Sequence, residues 1–117
     1  MESKRYFYDE WKKDRIVKEV KMENHKDYAL YVNYPNPFNP ETNILYQIPE
    51  ETKVKITIYN TLGKKIRILV NKNQPAGYYS VKWDGCDEKG QRVPSGIYIY
   101  EMKAENFRDI KRMLLMK

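Results

Sequence analysis

"VKITIYNTLGKKIRILV", Val54 to Val70, decides the fold. Val54, Ile56 and Ile58 alternate with Lys53, Lys55 and Thr57, the two-residue period of a strand with one face turned inward. The following "NTLG" puts Gly63 where a hairpin loop demands a positive φ. Ile66, Ile68 and Val70 then continue on a return strand. The same grammar extends in both directions. Upstream, Ile44, Tyr46 and Ile48 alternate until "PEET" breaks the run. Downstream, "NKNQPAG" is long and carries a proline, which reads as a crossing between sheets. Tyr79, Val81 and Trp83 share one face of the next strand, with Tyr78, Ser80 and Lys82 on the other. After the long loop "DGCDEKGQRVPSG", the runs "IYIYEMKA" and "FRDIKRMLLMK" flank a turn at "EN". These are six strands, or seven if Ala29 to Asn33 pairs. Short strands at such intervals predict an all-β domain of two sheets packed face to face.

The core expected from this phasing is Ile44, Ile48, Val54, Ile56, Ile58, Ile66, Ile68, Val81, Trp83, Ile97, Ile99 and Leu114. A chain of 117 residues suffices for one such domain and is short for two. Eleven tyrosines against three phenylalanines favour rings with a polar tip, which suit half-buried strand surfaces.

The formal charge of +6 raises the question of nucleic acid. Acids are interleaved with the bases nearly everywhere, and no block of five Lys or Arg occurs, so the charge reads as a solvated basic surface. The single cysteine, Cys86, excludes an internal disulfide. No apolar run is long enough to span a membrane, and the first residues lack the apolar stretch of a secretory signal.

Residues 1–29 differ in kind. "KRYFYDEWKKDRIVKEVKM" reads as a charged N-terminal extension, in which Tyr8, Trp11, Ile16 and Val20 at near-helical spacing favour a helix. Two short strands around "KKD", or the tail of an upstream region, are the other readings. The domain proper is expected over residues 30–117. Its entry, "NYPNPFNPETNI" (residues 33–44), sets Pro35, Pro37 and Pro40 among Tyr34, Asn36, Phe38 and Asn39. Prolines lower the entropy of an unfolded segment and favour an extended backbone, and Tyr34 and Phe38 are placed to pin it over an edge of the sandwich.

Catalytic chemistry has no foothold in the pattern. The sole histidine, His25, lies in the extension, and Cys86 has no histidine near it. Asp84, Asp87 and Glu88 in one glycine-bearing loop raise a Ca²⁺ site across Asp84–Gly90. Turn-forming aspartates, bonded to backbone amides, are the more ordinary use of that arrangement. No phosphate loop, dinucleotide fingerprint or zinc-protease motif occurs. The expectation is a binding or addressing domain without cofactor and without an enzyme activity.

"NYPNPFNP", "IYNTLGKKI", "PAGYYSVKWDG", "SGIYIY" and the ending "KRMLLMK", in this order, resemble the C-terminal sorting domains of the type IX (Por) secretion system. The segment from Gly77 through Met102 is also similar to the Ig-like domain of flagellar hook-capping proteins. The resemblance implies an Ig-like or fibronectin III-like β-sandwich that directs attached cargo through the type IX machinery to the cell surface or exterior. A structural or adhesive Ig-like module is the alternative. It further implies translocon contacts at Gly96, Tyr98, Lys111, Arg112, Met113, Leu114, Leu115 and Lys117, with Tyr34 to Pro40 as the lead-in motif. Partners beyond that machinery are not expected: no nucleic acid, no small-molecule substrate, no membrane insertion, and a monomeric domain. A sorting domain ordinarily ends a larger exported protein, so the short charged extension suggests a fragment, a misplaced start codon or a remnant that is never exported.

Overall fold

The computed structural model describes residues 4–9, 15–21 and 27–116. Strand β5 (Thr52–Asn60) and strand β6 (Lys65–Gln74) form the hairpin that the sequence announces. Asn60 builds its turn. The Asn60 Oδ1 accepts the amides of Leu62 and Lys64, both at 2.9 Å, and Gly63 takes the left-handed backbone at φ 84°. Val54, Ile56 and Ile58 are fully buried. Opposite them, two bulges in β6 skip Leu69 and Ile66 in the pairing. Each bulge adds a residue and shifts the alternation. Val70 therefore reaches the core, whereas Ile66 and Ile68, expected there, are half-buried.

Strand β8 (Gly96–Ala104) pairs with β5, and β9 (Phe107–Leu115) closes the sheet in the order β6-β5-β8-β9. Here the phase is the reverse of that expected. Tyr98, Tyr100, Met102 and Ala104 are buried, while Ile97 is 45% exposed and Ile99 half-buried. Ile97 faces Leu114 across the ladder and Tyr98 faces Met113, so Leu114 turns outward and Met113 and Leu115 turn in. A run that alternates aliphatic with aromatic side chains has two apolar faces, and its period does not say which is the inner one. The tyrosines go inside because their hydroxyls find acceptors. The Tyr98 hydroxyl donates to the Pro94 carbonyl at 2.6 Å, and that of Tyr100 to the Tyr31 carbonyl at 2.7 Å.

The second sheet has the order β3-β4-β7, from β3 (Ala29–Leu30), β4 (Thr42–Ile48) and β7 (Gly77–Trp83). The chain passes to it from β6 at Pro75 and Ala76, as the proline-bearing stretch predicts. Ile44, Tyr46 and Ile48 are buried, and Val81 packs against the core from its margin. Trp83 has no exposed surface. Its ring meets Tyr98 of the opposite sheet edge-on at 5.3 Å, and its Nε1 donates to the Cys86 carbonyl at 2.9 Å. Seven strands in two antiparallel sheets with no helix make the all-β sandwich.

In the N-terminal extension, β1 (Lys4–Asp9) and β2 (Arg15–Lys21) pair antiparallel, with a bulge between Phe7 and Tyr8. This replaces the helix favoured for that segment. Aromatic Tyr6, Phe7 and Tyr8 and β-branched Ile16, Val17 and Val20 are strong strand formers, and they outweigh near-helical spacing in a segment this short. Trp11 and His25 lie outside the described residues.

Candidate interaction surface: the proline-rich lead-in and the closing strand

The lead-in begins with a two-way bridge. The Tyr34 amide donates to the Asn43 carbonyl at 3.0 Å, and the Asn43 amide returns a bond at 2.9 Å. Beyond it the chain is a series of bends rather than the extended rod expected, with cis peptide bonds before Pro35, Pro37 and Pro40. Buried side chains scaffold the bends from within. The Thr42 hydroxyl donates to the Pro35 carbonyl at 2.8 Å, and the Asn33 amide nitrogen donates to Thr42 Oγ1 at 2.9 Å.

The bends carry the segment onto the outer edge of β9. The Phe38 amide donates to the Leu114 carbonyl and the Met116 amide to the Phe38 carbonyl, both at 3.0 Å. The Leu114 amide donates to Asn36 Oδ1, also at 3.0 Å. An edge strand that would otherwise show bare donors and acceptors is thus closed along its last residues. Phe38 is the anchor, 2% exposed and tilted against Trp83 with ring centres 5.6 Å apart. Tyr34, expected as a second anchor, is 44% exposed. The docking also depends on Gly85, at φ 76°. A Cβ there would lie 3.2 Å from the Pro40 carbonyl, so both the backbone conformation and the close approach call for glycine.

The residues implied as translocon contacts divide between two faces. Tyr98, Met113 and Leu115 are buried in the core. Gly96 begins β8 at φ 151°. Lys111 is half-buried at the rim, 3.8 Å from Asp109, and Lys117 lies outside the described residues. Arg112 and Leu114 point outward. Together with Asn36, Ile97 and Met113 they line a groove of ≈ 320 Å³. Ile97 and Asn36 complete this groove, and sequence reasoning gave neither a contact role there. The period of β8 predicts a core position for Ile97, and the hydrogen bond of Asn36 to β9 spans 78 residues of sequence separation.

The acids of the Asp84–Gly90 loop are engaged by backbone amides. Asp84 Oδ1 accepts from the Cys86 amide and from Arg67, each at 3.0 Å. Asp87 Oδ1 accepts from the amides of Lys89 at 2.9 Å and Gln91 at 3.0 Å. Glu88 reaches across to the Ile68 amide at 2.6 Å and covers the outer edge of β6. This is the turn chemistry that the aspartates suggest, with each carboxylate directed at the loop or the adjoining strand. Among the described residues, this loop included, no group of three His, Cys, Asp or Glu is gathered that could hold a metal ion.

Buried tyrosines carry the clearest electrostatic signature. Desolvation pushes Tyr46 up to about 12, and its hydroxyl donates to Gln74 Oε1 at 2.7 Å. Desolvation raises Tyr100 as well. These groups are structural, with hydroxyls directed at internal acceptors.

Two antiparallel sheets around a central tryptophan define an Ig-like sandwich. The chain belongs to the FlgD Ig-like domain family, whose model matches residues 41–107. Among solved structures, the fold is similar to part of dimeric latent PorU from Porphyromonas gingivalis, with a TM-score of 0.63 at 14% identity. That likeness covers 85% of this chain and 10% of PorU. It is similar also to part of PorZ, an essential bacterial surface component of the type-IX secretion system of Porphyromonas gingivalis. There the TM-score is 0.53 at 18% identity, covering 79% of this chain and 12% of PorZ. FlgD from P. aeruginosa aligns at a TM-score of 0.48 and 22% identity, over 78% of this chain and 61% of that one. No curated protein matches the sequence. The chain thus spans about a tenth of the length of the first two neighbours. Among the described residues no helix is long and apolar enough to cross a membrane.

Proposed function

We propose that this chain is a non-catalytic sorting domain, read by type IX secretion machinery and directing attached cargo to the cell surface or exterior. The observation that carries this reading is the union of the lead-in with the closing strand. The Phe38 backbone and the Asn36 side chain hold Leu114 and Met116, so the two motifs of the sorting-domain resemblance form one surface. That surface falls mostly outside residues 41–107, the span shared with the FlgD Ig-like family. The lead-in and the closing strand bury Phe38, Met113 and Leu115 in the core and turn Arg112 and Leu114 outward, where an address is readable. Arg112, Leu114 and Ile97 are the side chains offered there. The likeness to PorZ, a component of the type-IX secretion system, supports the association with this secretion system.

The second reading, a structural or adhesive Ig-like module, is favoured by the family match itself, which needs neither the lead-in nor the last strand. Export separates the two. The chain is fused behind a signal peptide and a fluorescent cargo and expressed in a host with a type IX system. A sorting domain carries fluorescence to the surface or medium, and a host mutant lacking the system retains it in the periplasm. Arg112→Glu with Leu114→Ser should reduce export while the protein stays folded by circular dichroism. Retention of the unaltered fusion in the competent host would overturn the sorting assignment and leave the structural module.

A further inference from the structure

One rank of side chains crosses all four strands on the outer face of the larger sheet. Lys55 of β5 stands directly opposite Asn71 of β6 on one side and Lys103 of β8 on the other. Lys103 in turn stands directly opposite Arg108 of β9. Directly opposed residues on one face have Cβ atoms about 4.5–5.5 Å apart, and like charges at that separation repel. Three cations therefore lie side by side. Of the three, Arg108 is paired with Glu101, and among the described residues Lys55 and Lys103 have no acidic partner. Glu101 is buried and bonded by Arg108 and by the Tyr59 hydroxyl, and Glu105 accepts the Thr52 hydroxyl at 3.1 Å.

The rank borders a groove of ≈ 350 Å³ whose lining joins the apolar surfaces of Tyr59, Ile99 and Ile110 to Lys103, Arg108 and the Glu101 that Arg108 neutralises. Ile110 is 42% exposed and stands directly opposite Glu101, so the groove keeps an open apolar side. We propose that this face docks an acidic protein segment that carries a large apolar side chain next to its carboxylates. The apolar side chain enters the groove between Ile99 and Ile110, and the carboxylates pair with Lys55 and Lys103 beside the Arg108–Glu101 pair. A single-stranded nucleic acid would need open aromatic faces on which bases stack. On this face Tyr59 is half-buried with its hydroxyl given to Glu101, and the exposed aromatic Tyr34 belongs to the lead-in. The site is independent of the sorting assignment, because it uses neither the lead-in nor the groove at Ile97 and Leu114.

Fluorescence anisotropy on the full chain tests the proposal, with a labelled synthetic peptide of glutamates flanking a pair of leucines as probe. The peptide should bind, and Lys103→Glu should weaken it roughly tenfold or more, since reversal replaces attraction with repulsion at the centre of the rank. Ile99→Ser should weaken it too. Lys82→Glu, an equal change of charge on the other sheet, should alter affinity by less than about twofold, because exposed charges farther than a Debye length are screened. A second measurement needs no ligand. Lys103→Gln should raise the melting temperature by roughly 2–5 °C at low salt, and the gain should vanish near about 0.5 M salt. The proposal is overturned if the peptide does not bind or if Lys82→Glu is as damaging as Lys103→Glu. Tighter binding to a single-stranded oligonucleotide or to phosphatidylglycerol vesicles overturns it equally, as does a lowered melting temperature for Lys103→Gln.

Discussion

The two hairpins of the four-stranded sheet use the same two-residue period and obey different rules. In β5 the alternation sets aliphatic side chains against lysine and threonine, and the aliphatic side is the buried one. In β8 it sets isoleucine against tyrosine, and the more hydrophobic partner is left outside. Charge on one face removes the ambiguity, because burying an ammonium without a partner is prohibitive. Two apolar faces leave the choice to volume and to the availability of hydrogen-bond acceptors. Tyr100 fills more of the space between the sheets than isoleucine would, and the Tyr31 carbonyl accepts its hydrogen bond. The outward isoleucines then become surface, and this is how Ile97 and Ile99 come to line the grooves next to Arg112 and Lys103.

The strongest way to break this contrast is Tyr100→Ala, which should cost about 3–5 kcal/mol in denaturant unfolding, as deletion of a fully buried ring does. A loss below about 1 kcal/mol would put the tyrosine face of β8 outside after all. Alkaline titration probes the same face. The folded state holds the Tyr46 and Tyr100 protons more tightly than the unfolded chain, so unfolding releases protons above the ordinary value of 10.0. Stability from these groups is complete below that pH and declines as pH climbs toward about 12, where Tyr46 ionises. Thermal melts at successive pH values should show the decline, and a midpoint that is flat across the window would contradict it.

A smaller effect is expected at the turn of the other hairpin. Asn60→Ala removes the acceptor for the Leu62 and Lys64 amides, and because water can replace it the loss should be about 0.5–1.5 kcal/mol. An unchanged stability would mean that Gly63 alone shapes the turn. Smallest of all is Ile97→Ser. Near the surface it should change stability within about 0.5 kcal/mol, the opposite of what a core isoleucine would do. A loss of 2 kcal/mol or more, about the size of a core truncation, would restore the phase first expected from the sequence.

The lead-in shows a similar division. Three prolines with a phenylalanine among them announce an irregular, anchored segment, and Phe38 is anchored. Its target is not announced. Asn36 and Leu114 are far apart in the chain, and nothing local to either marks the bond between them. The Asp84–Gly90 loop is the converse case. Its bonds mostly span two to four residues, so turn-forming aspartates could be read from the sequence directly.

Local information was thus enough for the all-β class, the strand order along the chain, the Asn60 to Gly63 turn, the crossing at Pro75 and the burial of Trp83. Each follows from side-chain period, turn chemistry or a residue too large and apolar to leave in water. The facing of β8 and β9, the bulges that move Ile66 and Ile68 out of the core, and the closure of the β9 edge by Phe38 and Asn36 were decided only by tertiary contacts. So was the rank formed by Lys55, Lys103 and Arg108, which are unremarkable in sequence and become neighbours through strand register. Register between distant strands is set by how well two whole faces pack against each other, and no short window of sequence contains both faces.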